Sequence, residues 1–272
     1  MILKQVSEMN SDLEIKINSL VEKRIISLTN RRRSETEQLL GRSSTYFPVF
    51  EAYLKAYNLP EELKYLPVIE SSLILKSNSK AGAAGLWQFM KSTGKAYGLR
   101  IDSQVDERMD ILKSSEAAAR LLVDLHKMFG DWPLALAAYN CGPTRVRKAI
   151  NQRRTKDFWN IKSLLPKETQ DYVVKFMATA YVMSYYQFYD LRPSYPDYDL
   201  QFVKTLKFYG QNNIETLAKE SGISVKVLQE LNPSYKAGVI PANPYGNYVV
   251  FPKFGLNPAF RSSETERSFS LN

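Results

Sequence analysis

A long, strongly apolar helical segment runs from Glu168 to Tyr189. Its apolar side chains are distributed around the whole circumference of the predicted helix, which is typical of a helix buried on all sides. The pattern therefore predicts a central, buried helix. Most of the chain before it also has the spacing of amphipathic helices, so we expect a mainly α fold.

Helices are predicted from the N-terminus to the region of Glu70. Residues 1–44 have amphipathic helical spacing, and the same periodicity continues over 45–59. Pro60 then begins another helix, with acidic residues in its first turn, where they suit the helix dipole. Glu70 falls near the carboxyl end of this helix.

Two helix N-termini are predicted from polar residues that precede apolar periodic segments. Ser92-Thr93 is predicted to cap a short helix. Ser114 or Ser115 is predicted to cap a long helix that ends at Gly130.

The C-terminal part of the chain combines strand and helix patterns. Strands are predicted at 202–206 and 248–252, with two short helices at 214–219 and 225–231 between them. This order predicts a small βααβ appendix to the helical part. Its preceding segment, 191–199, has the composition of a linker.

Composition limits the classes of function. With 44% hydrophobic and 24% charged residues, the chain resembles soluble globular proteins. A net charge of +9 favours an anionic partner without specifying it. The cluster Arg31-Arg32-Arg33 is predicted to be a solvated helix face, and no nucleic-acid motif surrounds it, so no nucleic-acid partner is expected. No apolar segment reaches the roughly 20 residues that span a bilayer.

Residue counts argue against metal and thiol chemistry. Cys141 is the single cysteine and His126 the single histidine, and one of each cannot form a zinc site. A thiol nucleophile would need a histidine beside it, but His126 lies in a helical pattern typical of a structural residue. We therefore expect no cofactor and no metal.

Glu70 is the candidate catalytic group. Val68 and Ile69 precede it and Leu73 follows it, so its surroundings are apolar. Burial against apolar groups raises the pKa of a carboxyl, which lets it act as an acid at neutral pH. Cleavage of a glycosidic bond needs such an acid. For an arbitrary helical glutamate, however, a surface salt bridge is the more frequent role.

Two further motifs follow Glu70 along the chain. Gly85-Leu86-Trp87-Gln88-Phe89-Met90 combines a glycine turn, an indole and an amide. Ala138-Tyr139-Asn140 places a phenol and an amide just before a helix break. Aromatic faces and amides are groups that bind sugars, although Trp87 and Phe89 taken singly are more often core residues. The order and spacing of the three motifs together indicate glycan cleavage.

This combination resembles the family 1 lytic transglycosylases, the goose-lysozyme-like enzymes that cut bacterial peptidoglycan. Over about residues 45–185 the motifs occur in the order of that family, in the form typical of its membrane-bound D branch. The matching residues are Glu70-Ser71, Ser79, Gly85 to Met90, Thr93 to Leu99, Ala138 to Asn140, Glu168-Thr169 and Tyr172-Val173. The resemblance implies a lysozyme-like transglycosylase domain.

The resemblance also implies a reaction that consumes no water. Glu70 would protonate the oxygen between N-acetylmuramic acid and N-acetylglucosamine. The muramoyl N-acetyl group would assist, because no partner carboxylate is supplied. Glu70 would then accept the proton of the C6 hydroxyl as this hydroxyl attacks C1, which gives a 1,6-anhydro sugar. The alternatives are a hydrolytic muramidase on the same fold and a non-catalytic wall-binding protein.

Roles for substrate-binding residues follow from the same resemblance. Tyr139 would hold the geometry of Glu70 and contact the acetamido group. The other residues expected to bind substrate are Ser71, Ser79, Gln88, Phe89, Met90, Asn140, Glu168 and Tyr172. For Glu168, a structural ion pair is the alternative. Leu73 and Ile74-Leu75 differ from the residues common in the family, and they are expected near the glycan groove.

The C-terminal unit resembles a LysM-like module, a type that binds N-acetylglucosamine chains, and a packed cap is the alternative. The expected organisation is N-terminal amphipathic helices over 1–44, the catalytic domain over 45–190, a linker over 191–199, the LysM-like or cap segment over 200–256 and a disordered tail over 257–272. Peptidoglycan glycan strands are the expected partner. We expect the protein in the bacterial periplasm or at the outer membrane, exported or anchored through a leader that precedes this sequence.

Overall fold

The computed structural model describes Leu13, residues 17–258 and Phe260. Most of the predicted tail, 257–272, and most of residues 1–16 lie outside this part. The chain divides into two compact units, each assembled from separate segments. The first unit contains the described residues of Met1–Glu37, Glu51–Ile69 and Ala118–Arg192, and the second those of Gln38–Phe50, Glu70–Ala117 and Pro193–Asn272.

Helices make up most of the described chain, and short strands occur near its C-terminal end. The α-helices are α1 (Ser19–Ile26), α2 (Arg33–Ala56), α3 (Leu66–Ser71), α4 (Lys91–Ala96), α5 (Ile111–Phe129), α6 (Trp132–Cys141), α7 (Pro143–Arg153), α8 (Phe158–Ile161), α9 (Lys167–Ser184), α10 (Tyr198–Gln201), α11 (Ile214–Ser221) and α12 (Val225–Leu231). The strands are β1 (Val203–Phe208), β2 (Asn212–Asn213), β3 (Val239–Ile240) and β4 (Asn247–Pro252). A π-helix forms at Ser27–Arg31, and 3-10 helices form at Glu61–Tyr65, Glu107–Met109, Lys162–Leu164 and Tyr186–Tyr189.

Helix α9 forms the centre of the first unit. Twelve of its residues are buried, and it packs against α1 and α6. The buried helix predicted over 168–189 is therefore confirmed. The α-helix ends at Ser184, and the last residues of the predicted segment form the 3-10 helix Tyr186–Tyr189. Within residues 17–258, none of the helices combines the length and apolar character that a membrane span requires.

Helix α3 carries Glu70 close to its carboxyl end, as predicted. The segment after Pro60 begins as the 3-10 helix Glu61–Tyr65 and becomes α-helical at Leu66. Ser72 and Leu73, the two residues after α3, both have left-handed backbones, with φ of 54° and 57°. An L-residue cannot continue a right-handed helix in this conformation, so these two residues end α3 directly after Glu70-Ser71.

The predicted cap of α4 is wrong. The helix begins at Lys91, after the extended residue Met90, and no side chain caps its N-terminus. Ser92 and Thr93 therefore lie inside the first turn. Phe89, two residues before the helix, is buried. A local polar signal does not report the burial of a neighbouring side chain, which also constrains where a helix can begin.

The predicted cap of α5 is also wrong. The helix begins at Ile111, and the Asp110 carboxylate accepts hydrogen bonds from the N–H groups of Leu112 and Lys113, both at 2.9 Å. An aspartate is as good an N-cap as a serine, so the earlier acidic residue starts the helix. Ser114 and Ser115 are buried within its first two turns. The predicted end is correct, since Gly130 follows the last helical residue.

The βααβ unit is confirmed. Strands β1 and β4 pair antiparallel from Val203 opposite Pro252 to Phe208 opposite Asn247. Helices α11 and α12 follow β1, as predicted. A second antiparallel pair, β2 with β3, adds two residues from each strand and was not predicted.

Within the second unit, the βααβ segment is bonded to the loop that precedes α5. Val105 forms a β-bridge with Tyr235, and the Asp106 N–H donates to the carbonyl of Ser234 at 2.8 Å. Val105 also belongs to the same buried apolar cluster as the residues of β1, α11, α12 and β4. The C-terminal segment and this loop therefore share one core.

Candidate functional site

The predicted site residues are divided between the two units. The second unit contains Glu70, Ser71, Ser79, Gln88, Phe89 and Met90. The first unit contains Tyr139, Asn140, Glu168 and Tyr172. The boundary falls within α3, between Ile69 and Glu70.

Glu70 is half-buried at the end of a helix whose other residues are buried. Ser71 beside it is also buried. In the first unit, the carbonyl of Ile69 accepts a hydrogen bond from Lys175 Nζ at 2.7 Å. This contact anchors Ile69, the last residue of α3 that belongs to the first unit, to α9.

The loop after α3 is closed by its own hydrogen bonds. The Ser79 hydroxyl accepts from the N–H of Ala83 at 3.0 Å, and the Ser79 N–H donates to the carbonyl of Ala83 at 2.9 Å. Ala84 and Phe89 exchange two backbone hydrogen bonds of 3.1 Å. Ser79 is exposed, so its position is fixed while its side chain stays at the surface.

Gln88 stabilises the turn in which it lies. Its φ is 48°, in the left-handed region, and its Nε2 donates to the carbonyls of Gly85 at 2.8 Å and Ser77 at 3.2 Å. Both contacts use the amide nitrogen. The side chain can therefore offer a ligand its oxygen, Oε1, at a fixed position.

The aromatic residues of the same turn face the core. Trp87 is 1% exposed, and its Nε1 donates to Ser115 Oγ at 3.0 Å. Its ring meets Phe50 edge to face, with centroids 5.0 Å apart. Phe89 is also buried, whereas Met90 is 44% exposed. This burial favours a packing role for the Phe89 ring over direct contact with a glycan, and it leaves Met90 as the accessible side chain.

Arg108 also holds the turn that carries Gln88, and no sequence motif indicated this role. Its Nη1 donates to the carbonyls of Gly82 at 2.8 Å and Phe89 at 3.0 Å. A Cβ on Gly85 would lie 1.7 Å from the carbonyl oxygen of Arg108, so only glycine fits there. Asp106, two residues before Arg108, is the sequence feature that could have indicated a buried arginine, because a buried arginine needs an acidic partner.

In the first unit, Asn140 and Thr169 join the end of α6 to the start of α9. Thr169 Oγ1 donates to Asn140 Oδ1 at 2.7 Å, and Thr169 is fully buried. Tyr139 is half-buried, Tyr172 is buried, and Glu168 is exposed in the first turn of α9. Thr169 was matched to a sequence motif but was not predicted to position Asn140.

His126 and Cys141 have structural surroundings. The His126 ring stacks on Trp132 with centroids 4.2 Å apart, which confirms its predicted packing role. Burial raises the pKa of the Cys141 thiol, which disfavours a reactive thiolate. In the part of the chain that the structure describes, no group of three or more His, Cys, Asp or Glu side chains could hold a metal ion.

Two family descriptions match separate parts of this chain. The transglycosylase SLT domain matches residues 47–162, which include Glu70 and the turn around Gln88. The LysM-like domain of the lytic transglycosylase MltD matches residues 205–266. The chain thus combines a match to the SLT transglycosylase domain with a match to the MltD LysM-like domain. The resemblance stated from the sequence motifs is confirmed, and so is the predicted fold class, mainly α with a small βααβ appendix.

Individual proteins are similar to this chain over larger or smaller parts of its length. The chain is 35% identical over 228 residues to membrane-bound lytic murein transglycosylase D of Escherichia coli, and the match covers 82% of this chain and 50% of that protein. The chain thus spans about half the length of this relative. Among solved structures, it is similar to the 70 kDa soluble lytic transglycosylase of Escherichia coli, with a TM-score of 0.49 and 22% identity over 64% of this chain and 32% of that one. Its similarity to lytic transglycosylase Slt of Pseudomonas aeruginosa has a TM-score of 0.45 and 24% identity over 54% of this chain and 24% of that one.

Proposed function

We propose that this chain cleaves the glycan strands of peptidoglycan without hydrolysis and leaves 1,6-anhydro-N-acetylmuramic acid ends. The observation that carries the proposal is the position of Glu70, half-buried at the end of α3 and inside the segment that matches the SLT domain. The relative from Escherichia coli is itself named a lytic murein transglycosylase, which supports the same substrate class.

In the proposed mechanism, Glu70 first donates its proton to the glycosidic oxygen. The half-buried position of Glu70 leaves its carboxyl partly accessible to a bound strand, as this step requires. Glu70 then accepts the proton of the C6 hydroxyl while the C6 oxygen forms a bond to C1 of the muramoyl residue. The leaving N-acetylglucosamine departs with the first proton, so one bond breaks, one forms and no water enters.

The remaining predicted site residues take supporting roles in this proposal. Gln88 would offer its Oε1, and Ser79 and Met90 are exposed along the same loop and turn. Tyr139 and Asn140 would bind the substrate from the end of α6, with Thr169 holding the Asn140 amide. Ser71, Phe89 and Tyr172 are buried, so we assign them to the support of these groups.

The alternative functions have less support. A nucleic-acid role would use the Arg31-Arg32-Arg33 cluster, but Arg32 pairs with Glu35 and Arg33 with Glu37. These ion pairs reduce the positive charge that a phosphate backbone would meet. A hydrolytic muramidase would use the same acid, so product chemistry separates it from a transglycosylase. A non-catalytic wall-binding protein would have no need of Glu70.

The deciding experiment is digestion of purified peptidoglycan sacculi, with mass spectrometry of the products. We expect muropeptides that end in 1,6-anhydro-N-acetylmuramic acid. Products heavier by one water molecule, with reducing ends, would identify a hydrolase instead.

The Glu70→Gln variant tests the assignment of the acid. It should keep its thermal unfolding curve and lose cleavage, since removal of a general acid typically costs about 10²-fold or more. Glu62→Gln, in the 3-10 helix before α3, is the matched control and should cleave normally. Residual activity of the Glu70 variant above about 10% would remove Glu70 from the proposed mechanism.

We also propose that the protein works in the bacterial envelope, in the periplasm or at the outer membrane. The substrate lies outside the cytoplasm, and the Escherichia coli relative is named membrane-bound. Fractionation of cells that express the complete gene should place the protein with the envelope. A gene product without any export or lipoprotein signal would contradict this proposal.

A further inference from the structure

Helix α7 and the turn that follows it form a dense basic surface, which lies entirely within the first unit. Of the 12 residues from 145 to 156, six are Lys or Arg and none is Asp or Glu. All six of these cationic residues are exposed: Arg145, Arg147, Lys148, Arg153, Arg154 and Lys156. The net charge of the whole chain is +9, so much of its excess positive charge is concentrated in this short segment, the α7 basic surface.

No carboxylate neutralises the α7 basic surface within the part of the chain that the structure describes. Lys64, Arg100 and Arg108 each pair with an acidic side chain, but none of the six cations of this surface lies within ion-pair distance of one. A cluster of like charges without compensation creates a positive potential that attracts an anionic partner. The charge of this surface is therefore available for binding.

The exposed face of α7 is polar throughout. Val146 and Ala149 are buried, whereas every exposed residue of the helix is polar or cationic. Arg154 ends the helix in a left-handed conformation, with φ of 54°, and the next cation follows at Lys156. A helix without an exposed apolar face binds a charged surface through electrostatic attraction and does not insert into it.

A partly exposed tryptophan adjoins the α7 basic surface. Trp159 belongs to α8, which contacts α7, and it lies three residues after Lys156. Lys162 Nζ lies 5.6 Å from the centre of the Trp159 ring. Tryptophan is enriched at membrane–water interfaces, where its ring lies at the level of the headgroups, and neighbouring cations there meet lipid phosphates. The surface thus combines both groups that suit a bilayer surface.

We propose that the α7 basic surface binds the anionic headgroups of a lipid bilayer. Four of its six cations are arginines, and a guanidinium can form two parallel hydrogen bonds with one phosphate. A bilayer presents many phosphates in one plane, so several of these side chains can bind at once. Nucleic acid carries the same phosphates, and the choice of lipid rests on the proposed location in the bacterial envelope. The interaction goes beyond the proposed cleavage of glycan, since it needs no catalytic group.

The first test is sedimentation of the full chain with lipid vesicles. Vesicles of phosphatidylcholine alone are compared with vesicles that also contain phosphatidylglycerol. We expect binding to the anionic vesicles only, and loss of this binding at high salt, because salt screens exposed charges. Absence of binding to the anionic vesicles at low salt would overturn the proposal.

Neutralisation of four cations tests the location of the binding surface. The variant combines Arg147→Gln, Lys148→Gln, Arg153→Gln and Arg154→Gln. Each cation near an anionic bilayer contributes roughly fivefold to binding, so the variant should bind several-hundred-fold more weakly. Arg145 is kept, because its Nη1 donates to the carbonyl of Cys141 at 3.4 Å, at the end of α6.

A matched control removes the same amount of charge from scattered exposed lysines. Its substitutions to Gln are at Lys95, Lys127, Lys219 and Lys226. This control should retain most of the binding, and an equal loss in both variants would reject a localised surface. Thermal unfolding followed by circular dichroism should be unchanged in both. If the α7 variant does not fold, the two double variants, Arg147→Gln with Lys148→Gln and Arg153→Gln with Arg154→Gln, give the same comparison, each with roughly a 25-fold expected loss.

Trp159 reports which face of the protein meets the bilayer. The chain has three tryptophans, and the other two, Trp87 and Trp132, are only 1% and 8% exposed. Anionic vesicles with acyl chains brominated near the headgroup should therefore quench the fluorescence of Trp159. Trp159→Phe should abolish this quenching and keep most of the vesicle binding. Undiminished quenching in Trp159→Phe would show that a different face meets the bilayer, which contradicts the proposal.

Duplex DNA and purified sacculi serve as competing anionic partners. If the four-cation variant loses binding to either of them but keeps its binding to vesicles, the partner is nucleic acid or the wall, and the lipid proposal is wrong. None of these assays requires cleavage. Vesicle binding without 1,6-anhydro products would reject the proposed function alone, and 1,6-anhydro products without vesicle binding would reject the lipid surface alone.

Discussion

Arg108 and Asp106 form a buried two-point ion pair, with Nε 2.9 Å from Oδ1 and Nη2 2.8 Å from Oδ2. The remaining guanidinium nitrogen binds the backbone of the turn that carries Gln88. On the other side, the Asp106 backbone N–H donates to Ser234 of the C-terminal segment. Within the second unit, this pair therefore connects the turn that carries Gln88 to the LysM-like segment.

We expect Arg108→Met to destabilise the protein by about 3–5 kcal/mol, because it leaves the Asp106 carboxylate buried without its partner. Denaturant unfolding at neutral pH measures the loss. Arg32→Met, which breaks a half-exposed pair with Glu35, is the control and should cost about 0–1 kcal/mol. A loss of the same small size for both variants would mean that the buried pair is not specially stabilising.

Asp106 also predicts how stability changes with pH. Burial would raise the pKa of this carboxyl, but the hydrogen bonds and charge of Arg108 outweigh burial and hold the pKa below its ordinary value. A carboxyl with a depressed folded-state pKa stabilises the fold above its unfolded pKa, about 3.9, and loses that contribution as pH falls through the folded pKa. Acid unfolding should thus be steeper in the wild type than in Asp106→Asn. Parallel acid-unfolding curves would contradict the assigned role.

Gly85 and Gly82 provide a matched pair of substitutions. Both have left-handed backbones, with φ of 81° and 87°, but only a Cβ at Gly85 would strike the carbonyl of Arg108. Gly82→Ala should cost about 1–2 kcal/mol from its conformation alone. Gly85→Ala should cost at least about 2 kcal/mol more, because the backbone of the turn must move. Equal unfolding free energies would show that the turn yields without strain.

Thr169 is expected to act on catalysis by positioning Asn140. Thr169→Val removes the 2.7 Å hydrogen bond but keeps the volume of the side chain. The free energy of unfolding should therefore fall by only about 1 kcal/mol. If Asn140 orients the substrate, kcat should fall on the order of tenfold, since small misplacements of positioning groups are costly. Thr169→Ser keeps the hydroxyl and should restore kcat. An unchanged kcat in Thr169→Val would limit the bond to a structural role.

Removal of the C-terminal segment tests whether this segment is a separable binding module or a packed cap. A chain that ends at Asp190 lacks every partner of Val105 in the shared core. Removal of the segment exposes the apolar surface that it covered, at a cost of about 25 cal/mol per Å². We therefore expect the truncated chain to lose its cooperative unfolding transition, as followed by circular dichroism. A well-folded truncated chain that still cuts soluble muropeptides but binds sacculi weakly would instead support a separable glycan-binding module.

The predictions from sequence were most successful where structure depends on nearby residues. The buried helix α9, the βααβ order and the position of Glu70 at a helix end all follow from apolar periodicity and turn residues within a few positions. The same local reasoning chose the wrong cap for α5, because Asp110 and Ser115 are both suitable caps. Ser115 instead accepts a hydrogen bond from Trp87, a partner 28 residues away.

The sequence by itself indicated the family resemblance, the helical segments and the candidate acid, since these depend on residue types at short, regular spacings. Tertiary structure alone decided that Arg108 holds the Gln88 turn and that Thr169 holds Asn140 across 29 residues. Such contacts depend on which segments pack together, and that packing is set by the burial of whole apolar faces. No local pattern of residues records which distant polar groups the packing brings within reach.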